Sequence, residues 1–232
     1  MSRWLVYLAE RGQPVSVEAA ARLGHALGLH LEVELVDPRR RTIALSRQTD
    51  LVHSAMGELE ARHLRKMGSP VGLDEPYQHY QFAGRADVVS WNLEERALLH
   101  LENRTRFPDI QEMAGAFNSK KAYFGRVMAD RVGLRAWASE THVVVALWSS
   151  EVLHALRLRA ESFRAICPDP PTAFHDWWIG SPPSAGRTSA LVVLDPLAVG
   201  RQRQFVGFND AMTVRPRHRD YADVAQRLTH EG

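Results

Sequence analysis

The spacing of apolar positions changes repeatedly along the chain, and each change predicts a new element. Between residues 51 and 64 apolar side chains recur every three or four positions, which predicts an amphipathic helix closed by Gly68-Ser69-Pro70. Shorter extended stretches follow it and predict three strands. These strands are expected at residues 71–82, 86–91 and 97–105.

A second helix is expected from Pro108 to about residue 130, because proline suits the first helical turn and the apolar stripe keeps a helical period. The continuous apolar run at 141–148 predicts a strand buried on both faces. The rest of the chain predicts a helix at 150–166 and a tryptophan-containing segment at 177–178. Two strands at 190–194 and 204–208 and a terminal helix near Tyr221 are expected after it.

The first forty residues follow a different pattern. A short helix at 3–10, a helix beginning at Ser16 and an extended stretch at 30–36 precede Asp37-Pro38 and three arginines. This change predicts two parts of the chain. We expect a helical segment and linker at residues 1–41 and a larger α/β domain at residues 48–232.

The turn near the start carries a resemblance to a known family. Glu10-Arg11-Gly12, Pro14-Val15-Ser16 and Ala26-Leu27-Gly28-Leu29 together resemble the second half of a phage-repressor-like (XRE-type) helix-turn-helix domain. The resemblance implies a recognition helix whose DNA contacts would come from Arg3, Trp4 and Tyr7. Two preceding helices of such domains are missing before Met1, so we expect a remnant or an upstream start. Apolar side chains left uncovered by their absence would favour a homodimer.

Composition narrows the class of protein without naming a function. The 232 residues include 29 Lys and Arg against 27 Asp and Glu, and 45% are hydrophobic, which is typical of a globular protein. No stretch approaches the roughly 20 apolar residues that span a bilayer, and no signal peptide is evident, so we expect a cytoplasmic protein without membrane contact. Cys167 is the only cysteine, which excludes an intrachain disulfide.

The order of the predicted elements carries a second resemblance. Helix, three strands, helix and strand, with Asp87 entering the second strand and Glu102-Asn103-Arg104 ending the third, resemble the PD-(D/E)XK nuclease superfamily. The resemblance implies a restriction-endonuclease-like α/β fold in which Asp87 and Glu102 hold Mg²⁺ beside the scissile phosphate. Glu58 or Glu60 on the first helix matches the additional acid of many members.

Arg104 stands where this motif has lysine. A guanidinium does not act as a base, although it binds phosphate through two donors. Some members carry the lysine on the following helix, where Lys120 and Lys121 lie in this sequence. The alternative interpretation is purely structural, with Asp87 capping a turn and Glu102 pairing with Arg104 or Arg85.

Other candidate residues favour simpler interpretations. The stretch from 200 to 219 is locally basic, and its candidates for phosphate contact are Arg215, Arg217 and Arg219. His142 is expected to be a core histidine and not a metal ligand, and Cys167 a buried thiol and not a reactive one. Trp177 and Trp178 are expected to pack in the core or at an interface.

The patterns together suggest a function class. We expect a DNA-associated regulatory or defence-type protein with a partial helix-turn-helix and a degenerate nuclease-like domain. One alternative is a Mg²⁺-dependent DNA endonuclease that uses Asp87, Glu102 and Lys120 or Lys121, and Mg²⁺ is expected only in that case. The other alternative is a non-catalytic protein- or ligand-interaction module. The sequence leaves open whether the protein is an enzyme.

Overall fold

The computed structural model describes residues 50–79, 82–198 and 204–231, together with Ser16, Ala19 and Ala26. The chain divides into two units, Met1–Thr42 and Ile43–Gly232. All helices and strands from Leu51 onward lie in the second unit. The predicted DNA contacts Arg3, Trp4 and Tyr7 lie outside the described residues and stay predictions.

The second unit is a mixed α/β structure with seven helices and six strands among its described residues. The helices are α1 Leu51–Lys66, α2 Ile110–Arg131, α3 Ser150–Leu158, α4 Ala160–Ile166, α5 Thr172–Trp178, α6 Phe208–Ala211 and α7 Tyr221–Glu231. The strands are β1 Val71–His79, β2 Phe82–Asn92, β3 Ala97–Arg104, β4 Ser139–Leu147, β5 Gly186–Leu194 and β6 Phe205–Gly207. The predicted order of helix, three strands, helix and strand is present from α1 to β4.

All six strands form one sheet in the order of the chain, from β1 to β6. β1, β2 and β3 run antiparallel to one another, β3, β4 and β5 run parallel, and β6 is again antiparallel to β5. A parallel pair needs a long crossover, which α2 provides between β3 and β4. The carboxyl ends of β3, β4 and β5 therefore meet at one edge of the sheet.

Local caps explain where the two long helices begin. The side chain of Asp50 accepts a hydrogen bond from the backbone N–H of His53 at 2.9 Å and starts α1. The carboxylate of Asp109 accepts from the N–H groups of Gln111 and Glu112 at 2.8 and 3.0 Å and starts α2. The prediction that α2 begins at Pro108 was therefore early by two residues, because the aspartate after the proline is the cap.

The centre of the sheet is apolar, as the continuous run at 141–148 predicted. Every residue from Val143 to Leu147 on β4 is fully buried. Trp177 and Trp178 are buried in the same core, which confirms the packing prediction for them. Cys167 is also buried, and burial raises the pKa of its thiol to about 12, so the thiol is not a reactive group.

Two further predicted boundaries were wrong. The first strand ends at His79, and Phe82 belongs to β2, where its backbone pairs with His79. The single helix predicted at 150–166 is two helices, because Arg159 leaves helical geometry with φ −127° and ψ 37°. Among the described residues no helix is long and apolar enough to cross a membrane.

Candidate functional site

The candidate site lies where β2 and β3 separate. Their backbone pairing reaches only as far as Val88 and Leu101, so the start of β2 and the end of β3 lie beyond the paired part. Just beyond that point the carboxylate of Asp87 accepts a hydrogen bond from the backbone N–H of Asn103 at 2.8 Å. A side chain thus takes the role of the missing strand partner, and Asp87 is held against the end of β3.

Glu102 on β3 is the most heavily bonded side chain of the site. Its Oε1 accepts from the Lys120 ammonium of α2 and from His100 Nε2, the latter at 2.9 Å. Its Oε2 lies 3.4 Å from Arg104 Nη2. The side chain is only 1% exposed, so these bonds form away from water and are correspondingly strong.

The charge of Glu102 follows from these partners. Burial alone raises the pKa of a carboxyl, but the charges of Lys120 and Arg104 and the hydrogen bond and charge of His100 outweigh it. The pKa of Glu102 is held well below its usual range. Glu102 is therefore a carboxylate at all physiological pH values.

A line of polar side chains continues from Glu102 across the parallel strands. His100 Nδ1 lies 3.2 Å from His142 Nδ1, and His142 Nε2 lies 3.3 Å from Glu140 Oε2. Glu140 in turn accepts from Arg187 on β5 at 2.7 Å. The line joins the buried Glu102 to the surface, since 56% of the Arg187 side chain is exposed.

The protons along this line can be assigned from the hydrogen bonds. Burial lowers the pKa of His142 to about 4, so its ring is neutral at pH 7 and its one proton faces Glu140. His142 Nδ1 then has only a lone pair to offer, and the proton between the rings belongs to His100 Nδ1. On the other side of the ring, His100 Nε2 faces Glu102 Oε1 at 2.9 Å.

Glu60 of α1 lies on the opposite side of the β3 end and is fully buried. Its Oε2 accepts from the side-chain amide of Asn103 at 3.0 Å. Burial, partly opposed by this bond and reinforced by the charge of Asp87, raises the pKa of Glu60 to about 8. Glu60 Oε1 and Asn103 Oδ1 have no hydrogen-bond partner among the described residues. A protonated, neutral Glu60 suits a fully buried side chain whose hydrogen-bond partner is a neutral amide.

Arg104 connects the two acidic residues to solvent. Its guanidinium lies 3.9 Å from Asp87 Oδ2 and 3.4 Å from Glu102 Oε2. It also lines a cleft of about 380 Å³ together with residues at the starts of α1 and α2. Asp87 and Glu102 do not line this cleft, whereas Arg104 and His53, whose Nε2 lies 3.6 Å from Asp87 Oδ2, do.

The structure places the remaining predicted catalytic residues outside this cluster. Lys121 lies over the ring of Phe117 at 5.5 Å, whereas its neighbour Lys120 bonds Glu102. Glu58 is exposed on α1, and the buried acid of that helix is Glu60. Arg85 pairs with Asp74 at 2.6 Å and not with Glu102. Of the predicted set, Asp87, Glu102, Arg104 and Lys120 are brought together.

The three arginines predicted to contact phosphate lie before α7 and are exposed. The guanidinium of Arg217 lies 4.9 Å from the ring centre of Trp148 and 3.7 Å from Asp195. Arg219 donates to Asp220 at 2.8 Å, and the Arg215 carbonyl accepts from Trp148. These contacts order the segment on the surface at the carboxyl ends of β4 and β5.

The cluster does not fit Mg²⁺, the ion that the nuclease resemblance implies. Mg²⁺ needs carboxylate oxygens at about 2.0–2.1 Å in octahedral geometry. At least three of the four oxygens on Asp87 and Glu102 already accept hydrogen bonds from the protein. Two cations, the Arg104 guanidinium and the Lys120 ammonium, lie against these two carboxylates. A divalent ion would have to displace Arg104 to reach both acids.

Sequence reasoning missed His100, Asn103 and the identity of the buried acid on α1. Two signals for them were present in the chain. His100 stands two residues before Glu102, and alternate strand residues share a face. Glu60 follows Val52 and Met56 at steps of four, which places it on the buried stripe of α1.

Comparisons with known proteins assign no family to the chain. No protein-family model matches it, and a search of curated proteins finds no match. The chemistry of the site therefore rests on its own geometry, which is a buried acidic pair held by built-in cations at the edge of a cleft.

Proposed function

We propose that the protein is a DNA-associated protein of regulatory or defence type, in which residues 50–231 form a PD-(D/E)XK nuclease-like domain with a degenerate catalytic site. The observation that carries the proposal is the meeting of Asp87, Glu102 and Lys120, which come from β2, β3 and α2. A cytoplasmic location and association of two copies belong to the same proposal.

The degenerate character rests on Arg104. A nuclease of this type needs a group that accepts a proton from the attacking water, and a guanidinium stays protonated. The guanidinium also lies against both carboxylates and lines the cleft, which neither carboxylate does. The site is thus suited to holding a phosphodiester near Arg104 and poorly suited to cutting it.

Retention of DNA is tested by anisotropy of a labelled duplex at several salt concentrations. Binding by arginine and lysine weakens with salt, and each lost phosphate contact reduces the slope of log affinity against log salt by about 1. We expect the triple change Arg215→Ala, Arg217→Ala and Arg219→Ala to weaken binding and reduce the slope. The control replaces three other exposed arginines with alanine, at Arg126, Arg135 and Arg159. We expect it to weaken DNA binding less and to change the salt slope less. Equal effects of the two triple variants, or no binding by the wild type, would contradict the proposal.

A Mg²⁺-dependent endonuclease is the second candidate, and the contact between Lys120 and Glu102 favours it. In this alternative Lys120 takes the place of the missing lysine of the motif, and Arg104 leaves the acidic pair. The test is cleavage of plasmid DNA with Mg²⁺ or Mn²⁺. We expect little or no cleavage. Metal-dependent cleavage that is lost in Asp87→Ala and in Lys120→Ala, and retained in Lys121→Ala, would replace the first proposal by the second.

A further inference from the structure

The acidic pair at the end of β3 already holds a cation that belongs to the protein. The guanidinium of Arg104 is within 4 Å of both carboxylates, at 3.9 Å from Asp87 and 3.4 Å from Glu102. A planar guanidinium can donate in two directions at once, which a lysine ammonium on a flexible stem does less well. We infer that Arg104 occupies the position between Asp87 and Glu102 that the nuclease resemblance assigns to a divalent cation, so that this site takes up no divalent ion.

The burial of the three side chains agrees with this role. Asp87 and Glu102 are 3% and 1% exposed, whereas 14% of the Arg104 side chain reaches solvent at the cleft. An ion entering from the cleft therefore meets Arg104 before Glu102, and meets Arg104 and His53 before Asp87. Like charges repel strongly in such a poorly solvated place, so the guanidinium opposes entry of a cation as well as competing for its ligands.

Arg104 is also held in place by the backbone. Its Nη1 donates to the carbonyl of Asn103 at 2.9 Å, while the backbone N–H of the same Asn103 donates to Asp87. The backbone of Asn103 thus holds both the Arg104 guanidinium and the Asp87 carboxylate in place. The remaining partners of Glu102, Lys120 and His100, do not depend on Arg104, so its removal leaves Glu102 bonded and the strand intact.

Removal of the guanidinium is expected to turn the pair into a cation site. In Arg104→Ala the two carboxylates keep their backbone positions and lose the positive group between them. Carboxylate oxygens are preferred ligands of Mg²⁺ and Mn²⁺. The inference rests on the nuclease-like interpretation of the site, but it concerns cation binding and does not require DNA or cleavage.

The experiment measures binding of Mn²⁺ to the full chain by the loss of the electron paramagnetic resonance signal of free Mn²⁺. We expect the wild type and the charge-matched control Arg126→Ala to show the same weak binding. Arg104→Ala is expected to bind Mn²⁺ at least about tenfold more tightly, a difference of about 1.4 kcal/mol. Adding Asp87→Asn or Glu102→Gln to Arg104→Ala should remove that gain. Arg104→Gln, which keeps most of the side-chain volume, serves as the second variant should Arg104→Ala fail to fold by circular dichroism.

Two results would overturn the inference. One is Mn²⁺ binding by the wild type that Asp87→Asn removes, because the pair would then accept an ion despite Arg104. The other is a folded Arg104 variant that binds Mn²⁺ no better than Arg126→Ala. Absence of DNA binding by the wild type would refute the proposed function and leave these cation measurements valid, so the two failures can be distinguished.

Discussion

Two buried glutamates on either side of the end of β3 differ in charge at neutral pH, one being protonated and the other ionised. Glu60 on the α1 side and Glu102 on the α2 side are 0% and 1% exposed. Glu60 has one side-chain partner, the neutral amide of Asn103, and its pKa is raised to about 8. Glu102 has Lys120, Arg104 and His100, and its pKa is held well below the usual range.

Burial alone does not decide the charge of a carboxyl in this protein. Desolvation is the largest single influence on both glutamates and acts in the same direction on both. The difference comes from positive groups, which surround Glu102 and are missing among the partners of Glu60. The α2 side of β3 is therefore an ionic site, and the α1 side is a neutral one.

The largest effect is expected when the ionic side loses its buried cation. Lys120→Met keeps an unbranched side chain in the core but leaves Glu102 with less charge compensation. Breaking a buried ion pair by removing one partner costs about 3–5 kcal/mol. We expect the free energy of unfolding, measured in urea, to fall by that amount.

The neighbouring Lys121 provides the control for this change. Lys121→Met alters the same helix and the same charge at a partly exposed position. Its expected effect is within about 1 kcal/mol. Similar losses in the two variants would show that the Lys120–Glu102 pair does not carry the stability assigned to it.

The neutral side is tested by pH. Glu60 is protonated in the folded state below about pH 8, while the ordinary glutamate pKa of 4.5 applies when the chain is unfolded. The folded state then binds one more proton between these values, so the contribution of Glu60 to stability is fully present below pH 4.5 and is lost as pH rises towards 8. Glu60→Gln is expected to remove this decline, which is on the order of 5 kcal/mol.

The measurement is the difference in unfolding free energy between wild type and Glu60→Gln across that pH range. The variant should become relatively more stable as pH rises. Glu58→Gln on the exposed side of α1 is the control and should follow the wild type. A constant difference between wild type and Glu60→Gln would mean that Glu60 is ionised in the folded protein.

A smaller effect is expected from the amide that bonds Glu60. Asn103→Ala removes the side-chain amide that, among the described residues, donates to Glu60, but it keeps the backbone N–H that bonds Asp87. Loss of a buried hydrogen bond that leaves an unsatisfied group costs about 1–3 kcal/mol. Urea unfolding should show a loss of that size, and Asn118→Ala on the exposed face of α2 should change stability by about 0.5 kcal/mol or less. A loss no larger in Asn103→Ala than in this control would mean that the amide does not support Glu60.

The smallest effect is expected at the outer end of the polar line. Arg187 pairs with Glu140 where 56% of the arginine side chain is exposed. Exposed ion pairs contribute about 0–1 kcal/mol because water and salt screen them. Arg187→Met should therefore change the free energy of unfolding by less than Lys120→Met. An equal loss would show that the line from Glu102 to the surface acts as one unit.

Much of the fold could be predicted from spacing and from capping residues. The helix over Leu51–Lys66 and the strand over Ser139–Leu147 have strong periodic signals in the chain. Boundaries were less predictable where short-range chemistry decides them. Asp109 caps α2 in place of the expected Pro108 start, and Arg159 divides one predicted helix into two.

The site was predictable in part for a physical reason. Asp87 and Glu102 are brought together because neighbouring strands carry them, and sequence order indicates that. The choice between Lys120 and Lys121 could not be made, since both are three or four residues from Phe117 and Phe124 and either fits the helical stripe. The contact between His100 and His142 could not be predicted either. It depends on the register of β3 with β4, which places the two residues side by side and which no local sequence pattern encodes.

The charge states of Glu60 and Glu102 are tested most directly by a nuclear magnetic resonance titration of their side-chain carboxyl carbons, assigned with Glu60→Gln and Glu102→Gln. Carbon shifts of a carboxyl report its protonation without any assumption about stability. Over about pH 5 to about pH 9 we predict one transition near pH 8 for Glu60 and none for Glu102, which stays ionised. An ionised Glu60 at pH 6, or a Glu102 that takes up a proton within this range, would contradict the claim that built-in cations alone distinguish the two sides of β3.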